Sequence, residues 1–166
     1  MKKILPLIFV ILFLIIIANF VISRGSSITQ PINYNHKQHI EEAGLSCNEC
    51  HQYVETLPKA GLPQLRACLE CHEEALTESL EEKKLLELAA DGKVLAWNHI
   101  YRMPEDVYFS HRRHVKIAQI ECEKCHGKVE QLSSPPTRPA VKLSMSFCMK
   151  CHEKMNVDND CITCHK

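Results

Sequence analysis

The chain has 166 residues, and its 20 Lys and Arg are matched by 20 Asp and Glu, for a formal net charge of zero. That balance offers no basic field to hold nucleic acid, and 6% aromatic residues with five glycines argue against a sheet-rich fold. The numbers that stand out are ten cysteines and ten histidines.

In chain order, the first element is an apolar run from Ile4 to Ile22, preceded by Lys2 and Lys3 and broken only by Pro6 and Asn19. Nineteen residues of helix cover roughly 28 Å, close to the ~30 Å hydrocarbon core of a bilayer. A cleavable export signal has a shorter apolar stretch, about 7–15 residues. Pro6 falls in the first turn, where a missing amide costs little. Two lysines before the run against Arg24 after it favour an orientation that exports the remainder. Residues 1–23 therefore read as a transmembrane anchor or uncleaved signal, and 24–35 as a linker. Cleavage near Ser23 or Gly25 is the alternative.

All ten cysteines fall in Cys-x-x-Cys-His units: Cys47-Cys50-His51, Cys68-Cys71-His72, Cys122-Cys125-His126, Cys148-Cys151-His152 and Cys161-Cys164-His165. Two thiols at this spacing can form thioethers to one porphyrin, and the following histidine sits under its iron. Zinc would use the pairs two at a time, leaving one over, and gives no reason for the histidines. Five strained two-residue loops would make an odd disulfide framework. The expected cofactors are five covalently bound c-type haems. The 143 residues after the anchor cannot build an ordinary core around five haems, so the haems must form the core.

The soluble part reads as a duplication. Tyr34-Asn35-His36-Lys37-Gln38-His39, seven residues, then Cys47 is answered 75 positions later by Phe109-Ser110-His111-Arg112-Arg113-His114, seven residues, then Cys122. Val54-Glu55-x-Leu57 and Val129-Glu130-x-Leu132 continue the register. Residues 36–72 are expected to hold two haems and residues 99–166 three. Between them, residues 73–98 form a connector rich in Glu, Leu, Ala and Lys, which predicts a helix over about 73–91 with Gly92 as its stop. Ser133 to Pro139 cannot be helical.

Five histidines lie outside the motifs: His36, His39, His99, His111 and His114. Five haems need five sixth ligands, so the count predicts two imidazoles on every iron. Histidines at i and i+3 project from one side of a helical turn, about 5–6 Å apart. They are too close to clasp both faces of one porphyrin, so each pair should staple two haems together, one attached just downstream and one a neighbour. Met145 and Met149 flank the fourth motif and are expected to pack against a haem. Met145 as a ligand in place of His99 is the alternative.

With these motifs the chain resembles the class III multihaem cytochromes, and VYFSHRRHV, MSFCMKCH and DCITCHK also resemble the pentahaem cytochrome subunit of alternative complex III and menaquinone reductase complexes. The resemblance implies a mostly α and irregular fold with haems as its core, plus one N-terminal transmembrane helix. It implies an electron carrier, not an enzyme, in the inner membrane with its haem domain on the periplasmic side. It also implies partners: iron–sulfur and quinone-binding membrane subunits and a periplasmic redox protein. The alternative is a stand-alone quinol dehydrogenase of the NapC/NirT type, although the His-x2-His pairs do not fit that group. A reductase of a small anion would need an open iron position, and all five motifs end in histidine.

Overall fold

In the computed structural model, which describes residues 13–15, 17 and 27–165, caps crowd together and keep the helices short. Asn35 accepts from the Gln38 amide (3.0 Å) and opens α1, His36–Glu41. A single turn, α2 (Cys47–Cys50), follows the Ser46–Glu49 capping box. Then come α3 (Leu65–Leu69), α4 (Leu80–Ala90), a π-helical turn (Arg113–Ile117), α5 (Glu123–His126), a 3₁₀ turn (Val129–Gln131), α6 (Met145–Lys154) and α7 (Cys161–Cys164). Among the described residues there is no strand, only an isolated bridge between Val107 and His165. The mostly helical and irregular architecture expected from composition is the one observed. The expected anchor lies largely outside the described residues. Residues 13–15 and 17 are helical and exposed, and among the described residues no helix is long and apolar enough to cross a membrane.

The connecting helix begins at Leu80 instead of residue 73. Ser79 caps it by accepting from the Glu81 amide (3.2 Å). The preceding residues are folded back, with the amides of Leu76 and Thr77 both donating to the Glu82 carboxylate (2.8 Å each). Intrinsic helix preference in residues 73–78 loses to this local competition for backbone donors. The far end matches expectation. Gly92 sits at φ +62°, and the Lys93 amide reaches back to Leu88 O (2.9 Å), closing a left-handed cap. Residues 133–139 are likewise free of helix.

Apolar burial is slight. Ile32, Leu85 and Leu95 are the buried hydrophobic residues among those described, and Leu65, Leu88, Cys68 and Trp97 pack against them. Trp97 Nε1–H donates to Pro63 O (2.8 Å), tying the return strand of chain to the second motif's approach. So small a cluster tolerates no cavity. Leu85→Ala is expected to cost about 2–4 kcal/mol, measured as a lowered denaturation midpoint with covalent haem content unchanged.

The two copies clasp each other reciprocally. The Lys37 amide donates to Leu132 O (3.0 Å), and the Arg112 amide donates to Leu57 O (3.3 Å). Lys37 and Arg112 are equivalent positions of the 75-residue repeat, as are Leu57 and Leu132. Each copy thus offers the same donor and the same acceptor to the other, which is the contact pattern of a two-fold interface, here within one chain. The His111 amide adds a bond to Pro58 O (2.9 Å), and Lys116 Nζ pairs with Glu55 (2.8 Å).

Candidate functional site

The five motifs are called sites 1 to 5 in sequence order. In each, the second cysteine and its histidine follow the first by one helical turn, and the histidine amide returns to the first cysteine's carbonyl. At site 1, for example, His51 N–H donates to Cys47 O at 2.9 Å, and at site 5 His165 N–H donates to Cys161 O at 2.9 Å. Both thiols and the imidazole are thereby brought to one short surface. No disulfide joins any two of the ten cysteines, and each is exposed or half-buried. Among the described residues, no three His, Cys, Asp or Glu side chains converge to hold a bare metal ion.

Three histidine pairs have a common geometry. Ring centroids are 6.2 Å apart for His39 and His72, 6.3 Å for His111 and His126, and 6.2 Å for His114 and His152. A metal–imidazole bond is about 2 Å long and the ring centroid lies roughly 1.1 Å behind the nitrogen, so two imidazoles trans on one metal have centroids roughly 6.3 Å apart. Imidazole rings at this spacing could hold one metal ion between them. In the 75-residue repeat, His36 and His51 occupy the positions of His111 and His126. Burial holds His36 down to a pKa of about 4, and His51 is the next largest cause. His36 therefore stays neutral, as a metal ligand must.

The staples are positioned by aromatic rings. Tyr34 packs its ring against His36 and His39, with centroids at 4.8 and 4.3 Å. Phe109 does the same for His111 and His114, at 4.9 and 4.7 Å. In the first copy the pair opens an α-helix, whereas in the second it leads into the wider π turn.

Thiol neighbours give the order of the sites. Burial pushes Cys68 up, and the nearby Cys50 adds to the effect, so sites 1 and 2 lie close to each other. Burial raises Cys122 and the nearby Cys47 thiol raises it further, so sites 1 and 3 are neighbours. Cys125 is raised by burial, then by Cys151 and Cys148 of site 4. Cys148 is raised by burial, then by Cys164 of site 5. These neighbours link the sites in the order 2–1–3–4–5.

Comparison with known proteins gives the family. Residues 19–94 match the class III cytochrome C family, and residues 107–166 match cytochrome c7 and related cytochrome c. The multiheme cytochrome c subunit of menaquinone reductase from Nitratidesulfovibrio vulgaris (strain Hildenborough) is 32% identical over 161 residues, covering 82% of this chain and 77% of that one. The chain belongs to the class III and cytochrome c7-type multihaem cytochromes c. As such it carries covalently bound c-type haem and transfers electrons.

The cytochrome's imidazoles are prepared for that group. Nδ1–H of His51 donates to Gly61 O (3.0 Å), of His152 to Asp158 O (3.1 Å), of His39 to Asn35 O (2.8 Å), of His111 to Pro58 O (3.0 Å) and of His114 to Ser110 O (2.8 Å). A carbonyl can only accept, so in each ring Nδ1 carries the proton and Nε2 keeps its lone pair for a metal. The donor set therefore fits c-type haem. At His36 the Nδ1 is buried without a hydrogen-bond partner.

Two predicted residues stand apart. Among the described residues, no second histidine ring faces His165, whose Nδ1 lies 3.4 Å from the exposed Asp106 carboxylate. His99 is exposed and lines an open cavity of about 490 Å³ with Arg102 and Lys142. Met145 and Met149 are also exposed, 67% and 42%. Two further residues of the site have no sequence signal that marks them. Tyr101 donates to Cys125 O (2.9 Å) and accepts from the Ala140 amide (2.9 Å) while its ring meets His126 edge-on. Glu82 takes the Nδ1 proton of His72 at 2.6 Å. Its carboxyl is held down to a pKa of about 2 by the Thr77 hydroxyl first, then by the Leu76 amide. Ser79-Leu80-Glu81-Glu82 reads in sequence as a capping box, which would spend Glu82 on the Ser79 amide.

Proposed function

We propose that this cytochrome is a membrane-anchored, periplasmic, five-haem electron conduit and a subunit of a quinone-linked respiratory complex. The three histidine pairs spaced at 6.2–6.3 Å carry the reading, because each pair would hold one haem iron and so suit outer-sphere electron exchange. Residues 36–72 hold sites 1 and 2, residues 73–98 connect, and residues 99–166 hold sites 3, 4 and 5. Cys47, Cys50, Cys68, Cys71, Cys122, Cys125, Cys148, Cys151, Cys161 and Cys164 attach the cofactors. His51, His72, His126, His152 and His165 ligate from one side. From the other side, His36 serves site 1, His39 site 2, His111 site 3 and His114 site 4, with His99 left for site 5.

Bound haem supplies one-electron exchange between ferric and ferrous iron. The chain's own contribution is placement. Each His-x2-His staple ties two sites to one helical turn, and the reciprocal Lys37–Leu132 and Arg112–Leu57 bonds set site 1 against site 3. With carbonyls holding the Nδ1 protons, electron exchange requires no proton movement at those rings. The relative from Nitratidesulfovibrio vulgaris is a menaquinone reductase subunit, which supports iron–sulfur and quinone-binding membrane subunits as partners. The apolar run at residues 4–22 supports the anchor.

The test is a native gel of mildly solubilised membranes, stained for haem and analysed by mass spectrometry. The expected result is a large band containing multi-helix and iron–sulfur subunits, with five haems per copy of this chain. A small band of this chain alone would favour a free quinol dehydrogenase. Haem stain in the soluble fraction would overturn the anchor.

A further inference from the structure

Site 2 differs from the other sites in what holds its histidine. Five imidazoles give their Nδ1 protons to neutral backbone carbonyls. His72 gives its proton to the Glu82 carboxylate at 2.6 Å. Glu82 is the buried charged residue among those described, 7% exposed. Its two oxygens also accept from the Leu76 amide (2.8 Å), the Thr77 amide (2.8 Å) and the Thr77 hydroxyl (2.5 Å). Among the described residues no Lys or Arg pairs with it, so its negative charge is directed at His72. The nearest parallel, Asp106 at His165, lies 3.4 Å away with its side chain 66% exposed, where water screens it.

We propose that Glu82 is a positioning residue that makes site 2, the terminal site of the row, the last of the five to be reduced. This rests on the reading that His72 and His39 ligate a haem iron there. A carboxylate sharing the Nδ1 proton makes the imidazole a stronger donor, and a buried negative charge nearby favours the ferric state over the ferrous by Coulomb attraction. Both effects act in one direction, toward a lower potential. The couple is one electron, exchanged with site 1, and the proton stays between His72 and Glu82 in both states. Placed at the end of the row, such a site keeps electrons on the other four at equilibrium.

The experiment is a redox titration of the full-length protein, solubilised with its membrane partners, followed by optical and electron paramagnetic resonance spectra. Glu82→Gln keeps an oxygen for one of the two loop amides and removes the charge. It is expected to shift the lowest-potential component upward by at least tenfold in its reduction equilibrium, about 59 mV for one electron, and to leave the others in place. His39→Met should move the same component, which assigns it to site 2. Thr77→Ala removes a loop bond but leaves the carboxylate charged, so it should move that component far less. An unmoved component in Glu82→Gln overturns the proposal, as does an equal shift in Thr77→Ala, which would make the effect one of loop packing. Fewer than five components in the unaltered protein, or no response to His39→Met, would instead defeat the haem and ligand assignment on which the proposal rests.

Discussion

Replacing His114 by methionine will raise the potential of one haem, and it will not be the haem attached nearest in sequence. His114 lies eight residues before Cys122, yet its ring faces His152 at 6.2 Å with the planes 29° apart. Its neighbour His111 faces His126 at 6.3 Å with the planes 9° apart. The variant therefore acts on the site of Cys148 and Cys151. A thioether in place of an imidazole stabilises the ferrous state, so the shift is upward, on the order of 0.1 V. His111→Met should produce the corresponding shift at the site of Cys122 and Cys125. Potentiometric titration with spectra that separate the components would check both. A His114→Met shift confined to the site of Cys122 and Cys125 would break the staple.

The ease of reading this much from sequence has a chemical cause. Attachment of a c-type haem is written in a contiguous stretch, so Cys-x-x-Cys-His declares its chemistry without help from the fold. His-x2-His is equally local, because one helical turn sets the spacing of its two rings. The repeat then carries the argument from one copy to the other, and Phe109 stacks on its histidines as Tyr34 does. What sequence could not supply is long-range. Nothing in Lys37 or Leu132 announces that one amide meets the other's carbonyl 95 positions away, although the repeat makes the matching Arg112–Leu57 bond intelligible once the first is seen. Glu82 is a sharper case. Its spacing from Ser79 reads as helix capping, and only the folded-back loop at Leu76 and Thr77 turns its carboxylate toward His72. The same loop explains why the connecting helix starts seven residues later than its composition predicts. His99 remains outside the histidine pairs: it has no repeat partner, and among the described residues no ring faces it.

Removing one haem from the middle of the row should have consequences that removing one from its end does not. The order 2–1–3–4–5 places Cys122 and Cys125 at the junction of the two copies, against Cys47 on one side and Cys148 and Cys151 on the other. Cys164, of the last motif, lies near Cys148. Replacing Cys161 and Cys164 by alanine is expected to give a four-haem protein whose remaining potentials stay near their original values. It should retain electron exchange among sites 2, 1, 3 and 4. Replacing Cys122 and Cys125 also leaves four sites, but it opens a gap between sites 1 and 4. It removes the group that His111 and His126 hold, which loosens the staple that positions His114 for site 4. Stopped-flow reduction would separate the outcomes. In the terminal variant a single fast phase should reach all four haems, while in the central variant two haems should fill quickly and two by a much slower intermolecular route. Rapid filling of all four haems in the central variant would mean that the row is not the electron path and that sites 2 and 1 reach sites 4 and 5 some other way. Covalent haem content, counted first in both variants, ensures that the comparison is between proteins with equal loading.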